Sequence, residues 1–87
     1  MGLSPRPKTK QSPEATPQSR VLYILLKDCR LSKALARDQL AAELKLLTGR
    51  TVPLNRNAAL EEWTASLFEK LEPATIMRAA MAIKYRQ

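Results

Sequence analysis

The stretch SKALARDQLAAELKLLTG, Ser32 to Gly49, decides the fold. Ser32 is a residue type that accepts the first orphan N–H groups of a helix. Gly49 is the residue that ends a helix most cheaply, because a left-handed backbone there meets no Cβ. Between them, Leu35, Leu40, Leu44 and Leu47, with Ala36 and Ala41, supply an apolar stripe, and Lys33, Arg37, Asp38, Glu43 and Lys45 occupy most of the remainder. That alternation has the period of an amphipathic helix over Ser32 to about Thr48. A later start at Arg37, with a loop over 31–36, is the other boundary the pattern allows.

Two further segments downstream repeat the period. Leu60, Trp63, Leu67 and Leu71 recur at i, i+3, i+7 and i+11, with Phe68 at the edge of the stripe. Glu61 and Glu62 suit the positive end of that helix and Lys70 the other. Asn55 or Asn57 is expected to cap it, after a connector over Gly49 to Asn55 in which Pro53 forbids helix. Pro73 marks a break and fits the first turn of a fourth helix, in which Ile76, Ala79, Ala80 and Ile83 face inward and Met77 and Met81 form an i, i+4 pair beside them. Upstream, Val21, Leu22, Leu25, Leu26 and Cys29 follow helical spacing from an N-cap at Ser19. The run Val21 to Leu26 also fits a buried strand, but no partner strand follows it.

The N-terminal residues 1–18 read differently. Pro5, Pro7, Pro13 and Pro17 lie among Ser, Thr, Gln and Lys, and only Met1 and Leu3 are large and apolar. Such a segment buries too little surface to offset its ordering entropy. The expectation is therefore an all-α chain. A small three- to four-helix domain over 19–87, packed around Leu40, Leu44, Leu60, Trp63, Leu67 and Ile76, follows a disordered, basic, proline-rich tail over 1–18.

Composition narrows the chemistry. The chain has 87 residues, room for one domain with a small core. It has one cysteine and no histidine, so neither an internal disulfide nor a four-ligand zinc site is expected. A histidine general base is absent for the same reason. Cys29 lies in an apolar stripe and reads as a small hydrophobe rather than a nucleophile. Glu61 and Glu62 are adjacent, so on a helix they diverge by about 100° and do not face each other. Gly49 stands alone, followed by Arg-Thr, without the glycine-rich loop that cradles phosphates. No enzyme activity and no cofactor are expected. The longest apolar run, Val21 to Leu26, is far short of a membrane span, and a cytoplasmic location (nuclear in a eukaryote) is the expectation.

Charge carries the functional expectation. The formal net charge is +7, which favours polyanionic partners. Residues 1–19 carry +2, 20–50 carry +4, 51–77 carry −2 and 78–87 carry +3, so two basic ends flank an acidic third helix. The expected function is that of a small basic accessory or regulatory protein that binds DNA or RNA. The candidate contacts are Lys45, Arg50, Arg56 and Asn57 mid-chain and Arg78, Lys84 and Arg86 at the end. A helix-turn-helix reading would make Gln39–Leu44 part of the first helix and place Arg50, Arg56 and Asn57 at or before the N-terminus of the recognition helix. Against it stand a connector longer than the usual turn and the acids Glu61 and Glu62. The alternative function is a helical adaptor, or homodimer, that grips a protein through Met77 and Met81.

Overall fold

The first helix opens on a proline. In the computed structural model, which describes residues 16–87, α1 spans Pro17–Tyr23 and passes directly into a π-helical turn over Ile24–Asp28. Thr16, not Ser19, is its N-cap: the Thr16 hydroxyl accepts the Ser19 N–H at 3.2 Å, and Pro17 occupies the first turn, where a missing N–H costs nothing. Residues 16–18 therefore belong to the domain rather than to the tail. Gln18 fastens them, its side-chain amide donating to the Glu61 carbonyl at 2.9 Å and the Thr64 hydroxyl at 3.0 Å. The disorder expected over 1–15 lies outside the described residues.

The π turn closes with the Cys29 N–H on the Ile24 carbonyl at 2.8 Å, an i→i+5 bond. Arg30 then takes a left-handed backbone, φ 57°, and the Leu31 N–H returns to the Leu25 carbonyl at 3.1 Å. Leu31 packs against the core, which is the apolar contact that commonly accompanies such a helix ending. An arginine is an uncommon occupant of this conformation, since its Cβ makes it costly.

The second helix, α2, runs Lys33–Thr48 between the expected caps. The Ser32 hydroxyl accepts from the Leu35 N–H at 3.1 Å, and Gly49 stands at φ 77° with its N–H on the Lys45 carbonyl at 2.7 Å. Its buried face is rotated from the one the stripe suggested. Ala36, Leu40, Ala41 and Leu44 are buried, but so are Arg37 and Glu43, while Leu35 is 49% exposed and Leu47 41%. Leu35 lies five residues before Leu40 and hence about 140° around the helix from it. α2 carries leucine on nearly every side, so the periodicity alone did not select the inward arc.

The third helix, α3, spans Leu60–Lys70 with Ala59 as an N-cap that makes no side-chain bond. It begins later than either asparagine. Asn55 adopts φ 40°, and its carbonyl accepts the Ala58 N–H at 3.0 Å, closing a turn ahead of the helix. The Asn55 and Ala58 carbonyls also accept from Arg37, and the α3 ladder opens at the Ala59 carbonyl, which accepts the Trp63 N–H at 2.9 Å. α4 spans Pro73–Arg86, with Pro73 in its first turn as expected.

α4 is the centre of the fold. It packs on α1, on the π turn, on α2 and on α3. Its inward residues Ile76, Ala79, Ala80 and Ile83 are all buried, and the two alanines let neighbouring helices approach closely. Leu25, Leu40, Leu44, Leu60 and Ile76 fill the space around it. The described residues form four helices and no strand, and none of these helices is long and apolar enough to cross a membrane. The strand reading of Val21–Leu26 is thereby replaced by helix.

Candidate nucleic-acid interface

The connector over residues 49–59 organises the basic surface, and a buried arginine holds it in place. Arg37, 8% exposed, extends its guanidinium from α2 to three backbone carbonyls: Ala58 at 2.7 Å, Asn55 at 3.0 Å and, more weakly, Leu54 at 3.4 Å. The same group lies 5.8 Å from the centre of the Trp63 ring, within cation–π range. Trp63 in turn donates its indole N–H to the Pro53 carbonyl at 2.8 Å. A fork of fixed donors suits several carbonyls at once. The Arg37 Nε has no partner, so the clamp tolerates one buried unsatisfied donor. Because Trp63 is 2% exposed and bonded to the chain, it is a core residue rather than an open stacking platform.

The clamped connector separates two concavities that share Thr51 and Val52 as walls. On the α2 side, an open hollow of about 240 Å³ is bordered by Lys45, Asp38 and Arg56. On the α3 side, a cavity of about 260 Å³ is lined by Arg50, Lys70, Asn55 and the edge of Trp63. Lys45, Arg50 and Arg56 are thus brought to one region, and Asn57 stands exposed in the turn that follows Arg56. Lys70 joins them across the cavity. It was read from the sequence only as a helix-end charge; its partnership with Arg50 depends on how the connector folds back over α3.

The pairing of charges sorts the candidates. Arg56 lies 3.1 Å from an Asp38 carboxylate oxygen, a contact that is ionic without hydrogen-bond alignment. Lys84 pairs with Asp28 at 3.3 Å. Arg86 pairs with Glu43 at 2.6 Å, and the Glu43 side chain is only 7% exposed. The last two contacts tie the end of α4 to the π turn and to α2. Glu43 and Lys45 are two residues apart and so about 200° around α2 from each other, which places Arg86 away from the connector. Arg78, exposed on α4, has no ion pair among the described residues. The structure therefore groups the mid-chain candidates and leaves Arg78, Lys84 and Arg86 as a separate set.

Besides Lys70, four basic residues outside the expected set are exposed and make no ion pair among the described residues: Arg20, Lys27, Arg30 and Lys33. Arg20 and Lys27 are seven residues apart, with Tyr23, 60% exposed, between them. Their spacing was legible as one helical face; what was not legible is that no carboxylate comes to meet them. The recognition-helix geometry is not formed. The connector is too long for a tight turn, and Arg50, Arg56 and Asn57 lie in it, before the N-terminus of α3.

No cluster of three or more His, Cys, Asp or Glu residues arranged to hold a metal occurs among the described residues. Cys29 is buried, and its thiol is pushed upward by desolvation and then by the neighbouring Asp28 carboxylate, against a lowering by Lys84. It is a protonated core residue at neutral pH. Compared with known proteins, the chain matches no protein family, no curated protein and no solved structure.

Proposed function

We propose that this protein is a small accessory or regulatory factor that binds nucleic acid mainly through the phosphate backbone. One observation carries the reading. Asp28, Asp38 and Glu43 are each engaged by a basic side chain, and the remaining described acids, Glu61, Glu62, Glu69 and Glu72, all belong to α3 and the turn after it. The rest of the described surface is left with Arg20, Lys27, Arg30, Lys33, Lys45, Arg50 and Arg78, which make no ion pair among the described residues. An excess of one sign confined to part of a surface focuses a field on polyanions, and neutralised phosphates release counterions.

The test is fluorescence anisotropy with labelled DNA and RNA across a salt series. Affinity falls steeply with salt, and Lys45→Ala or Arg50→Ala each flattens the logarithmic salt slope by about 1. Lys84→Ala and Arg86→Ala, whose charges already have partners, change stability more than slope. Absence of any binding at low salt and micromolar protein refutes the reading. For the adaptor alternative, Met77 and Met81 are both half-buried and Met77 packs on the core, so the pair offers a partner only part of its surface.

A further inference from the structure

We propose that the cavity between the connector and α3 receives one unpaired nucleotide, with the base inside and its phosphate on Arg50 and Lys70. This rests on the nucleic-acid reading and names what that surface would select: a single strand.

The cavity's chemistry is lopsided in a way that specifies its occupant. Its charged lining residues are Arg50 and Lys70, and no carboxylate lines it. Both cations are exposed and without an ion pair among the described residues, so neither is neutralised by a neighbouring carboxylate there. Val52, Leu67, Leu71 and Trp63 give it an apolar wall, beside Thr51 and Ser66. An anion joined to a flat, largely apolar body answers both features. Asn55 lines the same space, and its side-chain amide makes no hydrogen bond among the described residues. An amide offers a donor and an acceptor side by side, which is what the edge of a base requires and what an alkyl chain leaves unused.

Size and rigidity agree. At about 260 Å³ the cavity falls just under the roughly 300–1,000 Å³ of ordinary small-molecule sites, which leaves room for one base. It is preformed: the Trp63 indole holds the Pro53 carbonyl and Arg37 holds those of Asn55 and Ala58, so little ordering is lost on binding. A base stacked inside a duplex cannot enter such a space without being flipped out, at a cost of unstacking and unpairing.

The experiment measures anisotropy of the full chain with four labelled probes of equal length: single-stranded DNA, single-stranded RNA, a DNA duplex and a wholly abasic deoxyribose-phosphate strand. At least one base-containing single strand binds about ten-fold tighter than the abasic strand, the order expected when a base is buried against side chains. The duplex falls below that single strand. Ser66→Phe, which fills the cavity from its α3 wall, removes the preference and leaves abasic binding intact. Lys70→Gln, an exposed change that does not threaten folding, weakens single strands and flattens the salt slope by about 1. Titration with adenosine and uridine 5′-monophosphate, read by Trp63 emission, separates a free nucleotide from a strand: saturation by a monophosphate at the strand's affinity assigns the site to the free ligand. Equal binding of base-containing and abasic strands overturns the cavity proposal while the broader nucleic-acid reading stands. Failure of all four probes to bind removes both. A preference that survives both Ser66→Phe and Lys70→Gln places the base elsewhere and also overturns the proposal.

Discussion

Replacing Arg37 tests the clamp on which both concavities depend. Arg37→Ala removes two well-formed charge-assisted bonds, to Ala58 and Asn55, and a weaker one to Leu54. Bonds of this kind contribute roughly 1.5–3 kcal/mol each when a buried partner is stranded, but water reaches part of the connector and re-satisfies some carbonyls. The truncation also relieves the desolvation of a buried cation and loses the packing of its aliphatic stem. The balance is a destabilisation of about 2–3 kcal/mol. For a domain of this size each kcal/mol moves the melting temperature by about 4–8 °C, so the expected fall is on the order of 10–20 °C. Arg37→Lys keeps the charge but not the fork, and recovers only part of the loss. The assay is urea and thermal unfolding followed through Trp63, the chain's single tryptophan. Because Trp63 is 2% exposed behind the connector, the native emission of Arg37→Ala also shifts to the red. A loss below about 1 kcal/mol, smaller than one ordinary hydrogen-bond deletion, with unchanged native emission would refute the clamp.

Other expectations follow from single contacts. Arg86→Ala strands the buried Glu43 carboxylate and costs about 1–3 kcal/mol, discounted from a fully buried pair because Arg86 itself is largely exposed; adding Glu43→Gln restores most of it in a denaturation-based double-mutant cycle. Arg30→Gly relieves the left-handed backbone at φ 57° and stabilises by up to about 1 kcal/mol in chemical denaturation; a loss instead would mean that the arginine side chain outweighs its backbone strain. The Cys29 thiol lies above its ordinary value of 9.0. The folded chain therefore keeps a proton that the unfolded chain releases, and stability declines as pH rises through about 9 toward the folded value. Cys29→Ala removes that part of the decline, and in the native wild type alkylation by iodoacetamide is slow until denaturant is added.

The sequence alone determined the helical class, the C-terminal end of α2 and the proline that starts α4, because these rest on local physics. Gly49 acts within one turn of itself, Pro73 within its own ring, and the Leu60, Trp63, Leu67 stripe has a period that only a helix brings to one side. It also exposed the uneven charge, since that is a sum over residues. Which charges remain available was decided only by the tertiary structure. Asp38, Glu43 and Asp28 meet Arg56, Arg86 and Lys84 across helix boundaries, and nothing local to any of the six announces the meeting. The same holds for Arg37, whose place among the polar residues of α2 gave no sign of burial. Its carbonyl partners lie 17 to 21 residues away, in a connector whose path exists only because the arginine and Trp63 hold it. The late start of α3 accompanies that path: the Asn55 carbonyl closes a turn onto Ala58 while it also accepts from Arg37, and a caps-and-periods reading has no means of seeing a hydrogen bond formed across the fold.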